Sequence, residues 1–418
     1  MNLEEFIDDF ERDEEAQRRR LAAEKSYAIT EHLEAVEDRL EATLQGDSLF
    51  GSTAPDIFVG RSGYPSVSAG VLSPVDPDTD ASRYVTSSDW YERGLSIDSV
   101  FQARSGLLNA NQPTNVHVAD AWNGFTGVRR EVAIADRPVD VEVELANQPT
   151  VDLSVDSIAS PSGPRATADD AQLAENPHVP RAVEKTLSDD DWRATGAMTY
   201  LYNRGFDVYE INTILSAGAL GQTSQRKLVP TRWSITAVDD TVSQYLRGTI
   251  RNASSIDQTE VRYAEFLGNQ FWVILTPGRW EFELVEMKAP QSVWNPRGGD
   301  YWIGSDHESF EGRTEYVDET AGAYYAARLG VLEALAERDR QATALVLRNV
   351  TDAYWGPVGV WLIRETVRDA VSNESATAES FHGAIERIAN ELPISHDRLQ
   401  RHSVLTAGRQ TTLSAFDR

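Results

Sequence analysis

Along the chain, apolar residues first follow a helical period. Ile29, Leu33, Val36 and Leu40 recur at intervals of 4, 3 and 4 among Glu, Asp and Arg, which predicts one long helix, or two in tandem, over residues 3–44. Such a stripe suits a helix laid on a core or a coiled-coil dimerisation arm. Gly46, Gly51 and Pro55 interrupt it. Beyond Asp56 the period shortens to two. Asp56 to Gly60 (DIFVG) reads as a short strand, Arg61 to Pro65 (RSGYP) as a turn, and Val139, Val141, Val143 and Leu145, alternating with acids, as a half-buried strand. Residues 151–185 carry Pro161, Pro164, Pro177 and Pro180 among Ser, Ala and Asp, a composition that predicts a loop insertion.

In the second half, Ser188 with Asp191 has capping-box spacing and predicts a helix through Trp192 and Met198 towards Tyr202. A further helix is predicted over Val208 to Leu215. Arg232 to Val238 (RWSITAV) reads as a buried strand ending at Asp239-Asp240, and strands follow at Arg262–Phe266, Phe271–Leu275 and Trp280–Met287. Residues 321–347 have a helical pattern of Ala, Leu and Tyr with Glu and Arg; Val358–Leu362 leads into another helix, and Phe381–Glu391 is the last. Interleaved strands and helices predict an α+β protein. Its expected parts are an acidic helical segment (1–48), an α+β core (49–320, insertion at 151–185), a helical part (321–402) and a mobile tail (403–418).

Charge changes this picture. The 418 residues include 66 acids against 39 bases, a net charge of −27 with pI near 4.6, and only Lys25, Lys185, Lys227 and Lys288 are lysines. An acid excess built with arginine suits a halophilic cytoplasm: carboxylates keep the surface hydrated, and concentrated salt screens their repulsion. The Debye length is about 3 Å at 1 M salt, so net charge there neither favours nor excludes a nucleic-acid partner. The acidic N-terminus lacks the apolar stretch of a signal peptide, and no run reaches the length of a membrane helix, so a cytoplasmic location and no membrane partner are expected.

Candidate chemistry is sparse. There is no cysteine, and the seven histidines form no HExxH and no close pair, so no metal site is expected. No GxxxxGK[ST] loop or GxSxG elbow occurs. Asp239-Asp240 is a weak metal site, because neighbours point apart on a strand or a helix. The turn and the RWSITAV segment supply Arg61, Tyr64, Lys227, Arg232 and Trp233. If these converge, a base can stack on Trp233 while the cations hold phosphate. Two alternatives remain open: a nucleotide- or nucleic-acid-processing enzyme centred on Lys227, Arg232, Asp239 and Glu265, or structural roles, with Lys227 at a strand edge and Arg232 paired to Asp239 or Asp240. No catalytic residue is assigned.

The tail carries a separate signal. Gln410, Leu413 and Phe416 lie three residues apart, and in a 3₁₀ turn such residues share one face. The spacing resembles the PCNA-interacting peptide, in which a glutamine enters a polar pocket of the sliding clamp while an aliphatic and an aromatic side chain fill an apolar one. Asp417 stands where such peptides usually carry a second apolar residue.

Over a longer reach, Asp56 to Leu72 (DIFVGRSGYPSVSAGVL), Lys227 to Asp240 (KLVPTRWSITAVDD) and Phe271 to Glu283 (FWVILTPGRWEFE) resemble the archaeal Nre family, and the likeness extends from about Leu49 to the end of the chain. The resemblance implies a DNA repair protein that binds PCNA through its C-terminal peptide and acts beside the UvrABC excision pathway on damage such as cross-links. It leaves open whether the core is catalytic or a non-catalytic clamp adaptor. Many relatives carry a four-cysteine zinc finger at the N-terminus; without cysteine, that role does not transfer.

Overall fold

The computed structural model describes residues 48–76, 79–118, 122–150, 163–295 and 299–408. The helix predicted over 3–44 and the Gln410–Phe416 heptad lie outside them. The described chain is α+β and divides between Val242 and Ser243 into two compact units. The boundary therefore falls well before 320, where a single core was expected to end.

The first unit is built on six strands: β1 (Ser48–Thr53), β2 (Ile57–Val59), β3 (Ser66–Pro74), β4 (Leu107–Asn115), β5 (Val139–Leu145) and β6 (Arg165–Leu173). They form one sheet in the order β1-β5-β6-β4-β3-β2, antiparallel except where β4 and β6 run parallel. The alternation read in β5 is real: Val139, Val141, Val143 and Leu145 are all buried. β6 lies inside the segment expected to be a loop insertion. Its inward residues are Ala166, Ala168 and Ala171, too small to register as an apolar period, yet they are buried in the sheet core.

Helices α1 (Asp89–Glu92), α2 (Ile97–Ser105) and α3 (Gly124–Ile134) interrupt the strands, and α4 (Arg181–Ser188), α5 (Ala194–Asn203), α6 (Val208–Ser216) and α7 (Thr231–Ile250) follow them. The expected α6 is present, opened by a capping box between Asp207 and Glu210. The Ser188/Asp191 box is not: Ser188 ends α4, and α5 begins at Ala194 without a side-chain cap. The largest correction is α7, read as a strand from its β-branched Ile235, Thr236 and Val238. Pro230 precedes its first turn, and Val238, Val242, Leu246 and Ile250 are buried at intervals of four, a helical stripe that a seven-residue window cannot see.

α3 places two arginines in the interior. Arg130 donates to the carbonyls of Ala217 (3.3 Å) and Gly218 (3.0 Å), and its guanidinium lies 5.4 Å from the Trp122 ring centroid. Arg129 is equally buried, but none of its three guanidinium nitrogens has a hydrogen-bond partner, and burial together with the Arg130 charge pulls its pKa down to about 10. Arg129→Met keeps the stem and removes the charge. We expect it to stabilise the protein by about 1–4 kcal/mol, seen as a higher urea midpoint; a lower midpoint would contradict the reading of Arg129 as an unpaired buried charge.

The second unit contains β7 (Ser254–Ser255), β8 (Thr259–Phe266), β9 (Asn269–Thr276), β10 (Glu281–Lys288), β11 (Trp302–Glu308), α8 (Gly322–Glu337), β12 (Arg340–Gln341), β13 (Thr343–Val350), α9 (Trp361–Ser372), β14 (Ala376–Ala378), α10 (Phe381–Ile388), α11 (His396–His402) and α12 (Val404–Gly408). Its sheet has the order β11-β10-β13-β9-β8-β14 with β10 and β13 parallel, and β7 pairs with β12 separately. The predicted helix over 321–347 stops at Glu337; Asp339 has φ +49° and the chain turns into β13, buried along its whole length between β9 and β10. A strand covered on both faces shows no alternation, so it read as a continuation of the helix. Val261, Trp272, Ile274, Val285, Leu345 and Leu347 pack against α10, α11 and α12. On the other face α8 and α9 approach closely where Gly330 meets Val367; a Cβ there would sit 3.0 Å from Val367 Cγ1.

Residues 403–408, expected to belong to a mobile tail, are packed; the rest of that tail lies outside the described residues. Ser403, Leu405 and Thr406 are buried, and α12 is anchored by Glu283 of β10.

Candidate nucleic-acid interface

The first unit brings part of the sequence-selected group together. After β2, the chain turns through Arg61–Pro65, with Ser66 N–H bonding Gly63 C=O at 3.0 Å and Gly63 at φ +79°, where a Cβ would come within 2.8 Å of Ser66 O. The Tyr64–Pro65 peptide is cis. Two further segments are bonded to this one. Val116 N–H donates to Pro65 C=O and Leu228 N–H to Val116 C=O, both at 2.9 Å. Thr231, at the start of α7, accepts from Val59 N–H through Oγ1 at 3.0 Å. Lys227, one residue before Leu228, and Arg232 and Trp233, just after Thr231, are thereby carried to the Arg61–Tyr64 turn.

The result is an open aromatic pair. The Tyr64 and Trp233 rings lie 5.4 Å apart at centroids with their planes at 51°, and the residues remain 48% and 45% exposed. Among the described residues, no other ring pair has two exposed large apolar members. Arg61, Lys227 and Arg232 are exposed and make no side-chain hydrogen bond, ion pair or ring contact. Several other arginines are committed to carboxylates, as in Arg328–Glu308, Arg348–Glu286, Arg338–Glu260 and Arg368–Glu333, while others, such as Arg93 and Arg137, are exposed and unpaired like these three. Arg232 is thus not the partner of Asp239 or Asp240 that the structural alternative expected. Exposed His117, next to Val116, borders the same backbone ladder and was not singled out from sequence; only the pairing of Val116 with Pro65 and Leu228 brings it there.

Asp239 does not join this surface. It sits in the middle of α7, 1% exposed, because the segment is helical and not a strand ending in a turn. Glu265 belongs to β8 of the second unit, where it accepts hydrogen bonds from Tyr263 Oη (2.7 Å) and Gln270 Nε2 (3.2 Å). An enzyme centre built on Lys227, Arg232, Asp239 and Glu265 therefore loses its buried aspartate. No group of three or more His, Asp or Glu side chains arranged to hold a metal occurs among the described residues. In the same residues, no helix is long and apolar enough to cross a membrane.

Comparisons with known proteins agree with one another. The family model described as "Archaeal Nre, N-terminal" matches residues 21–295, and "Archaeal Nre, C-terminal" matches residues 308–416. The chain is 62% identical over 421 residues to DNA repair protein NreA of Haloferax volcanii, spanning all of both chains. It is 38% identical to DNA repair protein NreA of Archaeoglobus fulgidus (87% of this chain, 88% of the relative) and 35% identical to DNA repair protein NreB of the same organism (90% and 94%). No solved structure matches it. Two family models spanning nearly the whole chain, with full-length identity to a relative, establish that the protein belongs to the archaeal Nre family.

Proposed function

We propose that the protein is a DNA repair factor held at the sliding clamp PCNA by Gln410, Leu413 and Phe416. The observation that carries this reading is the QxxLxxF heptad in a chain whose relatives are named DNA repair proteins. The C-terminal Nre family model extends to residue 416 and so includes the heptad. The family resemblance adds work beside the UvrABC excision pathway on lesions such as cross-links, in the cytoplasm of a salt-adapted archaeon. Tethering raises the local concentration of the protein at DNA, so a weak DNA contact of its own suffices.

Burying Leu413 and Phe416 supplies about 3–6 kcal/mol before the ordering cost, the apolar part of the binding energy. The expected dissociation constant of the whole peptide is micromolar, about −8 kcal/mol or weaker. Apolar anchoring also survives molar salt, where charge attraction is screened. Calorimetry against the cognate PCNA in 2 M KCl tests this reading: Phe416→Ala should weaken binding at least about tenfold. Equal binding by both proteins would refute the tether.

A further inference from the structure

We propose that Tyr64 and Trp233 form a stacking platform for an unpaired base of single-stranded DNA, with Arg61, Lys227 and Arg232 receiving the flanking phosphates. The inference deepens the DNA-directed reading above and rests on it. Its first support is the cost of the arrangement. Tyr64 and Trp233 leave nearly half their surface in water while touching one another, in a protein that buries Trp90, Trp272 and Trp280 completely. Two planes tilted by 51° cannot cover each other, so ring surface stays open to a third flat group.

Charge supplies the second support. In a chain of net charge −27, Arg61, Lys227 and Arg232 have no carboxylate partner and lie in the segments that the Pro65–Val116–Leu228 and Val59–Thr231 bonds join. An anionic ligand is favoured there, and the aromatic pair requires it to carry a planar apolar ring; a nucleotide unit has both. Arg61 and Arg232 can grip phosphate oxygens bidentately, and Lys227 adds a mobile point charge.

Stacking also selects the form of the nucleic acid. Every base in a duplex already has both faces covered, so a base can lie on Trp233 only where the strand is single or the base is extruded. Salt sharpens the argument. For single strands, log K falls with log salt at about −0.7 per phosphate neutralised, so three cations give a slope near −2 and about a 100-fold loss from 0.2 to 2 M KCl. Stacking does not depend on released counterions and carries what remains.

The test is fluorescence anisotropy of the full-length protein with labelled dT20, a 20-base-pair duplex and U20 in 0.5 and 2 M KCl. We expect dT20 to bind at least about tenfold tighter than the duplex, and Trp233→Ala to weaken it about 10- to 100-fold. Trp233→Phe keeps the flat ring and should stay within a few-fold of wild type. The double variant Arg61→Ala/Arg232→Ala should flatten the salt slope by about 1.4. Urea unfolding of each variant monitors folding, and PCNA calorimetry reads the tether independently. Three results would overturn the proposal: equal affinity of wild type and Trp233→Ala for dT20, equal affinity of wild type for duplex and single strand, or an unchanged salt slope in the double variant. Tighter binding of U20 than dT20 would overturn its assignment to DNA. Intact PCNA binding in any of these cases would leave the clamp-tethered reading standing.

Discussion

Arg328→Met is expected to lower the unfolding free energy by about 3–5 kcal/mol, the largest single-site loss anticipated in this protein. Arg328 on α8 and Glu308 on β11 are paired at 2.8 Å, exposed by only 3% and 1%. Glu308 also accepts from Trp280 Nε1 at 2.7 Å, and the Arg328 guanidinium lies 5.4 Å from the ring centroids of both Tyr324 and Tyr325. Removing the cation alone strands a carboxylate in the apolar interior, where the cost is that of an unpaired buried charge and exceeds that of a lost contact. The double variant Arg328→Met/Glu308→Leu discriminates: with both charges gone it should recover most of the loss, short of the Trp280 hydrogen bond. Urea unfolding of the four proteins of this cycle measures the coupling. Losses that simply add would show that the pair is not the source of the effect.

The second large effect is local. Glu283 is fully buried on β10 and accepts three hydrogen bonds from the start of α12: Ser403 Oγ at 2.8 Å, Val404 N–H at 2.7 Å and Leu405 N–H at 2.9 Å. Ser403 also caps the helix through Thr406 N–H at 3.0 Å. The carboxylate thus satisfies amides that a helix cannot pair internally. Glu283→Ala is expected to cost about 2–4 kcal/mol within this segment. Hydrogen exchange at Val404 and Leu405 should accelerate by roughly 30- to 1000-fold. Affinity for PCNA should change little, since Gln410, Leu413 and Phe416 follow the anchor and are not part of it. Unaltered exchange would refute the anchor.

Glu283 also sets a pH dependence. Burial raises its pKa above the ordinary carboxylate value, and the bonds from Leu405, Ser403 and Val404 offset only part of that rise. The folded protein therefore holds this proton more tightly than the unfolded chain, so the stability this group contributes is greatest below the unfolded pKa, near 4.5. It falls as pH climbs through the folded pKa and is constant above it. Glu283→Gln should lose that slope. It should also lose anchoring, because its amide nitrogen would replace one accepting oxygen with a donor.

How far the sequence spoke depended on burial geometry. The alternation of Val139, Val141, Val143 and Leu145 was legible because one face of β5 meets the core, and α6 was legible because its capping box and apolar stripe agree. β13 and α7 were misread for opposite reasons. β13 is apolar throughout because both its faces are covered, which erases the period of two. α7 carries β-branched residues in its first turns, while its stripe from Val238 to Ile250 emerges only over longer range. The packing of Ser403–Gly408 was not legible because its partner, Glu283, lies far earlier in the chain.

By itself, the sequence determined the family, through blocks such as KLVPTRWSITAVDD, and the α+β class, through interleaved periods. It also determined the acid excess, the absence of cysteine and the QxxLxxF heptad, all of which are properties of residue type and spacing. It named Arg61, Tyr64, Lys227, Arg232, Trp233 and Asp239 as candidates but could not sort them. Only the tertiary structure joined Tyr64 to Trp233, left the three cations unpaired and buried Asp239. The reason is physical: the bonds from Pro65 through Val116 to Leu228, and from Val59 to Thr231, join segments distant in sequence, and exposure is a property of the closed fold.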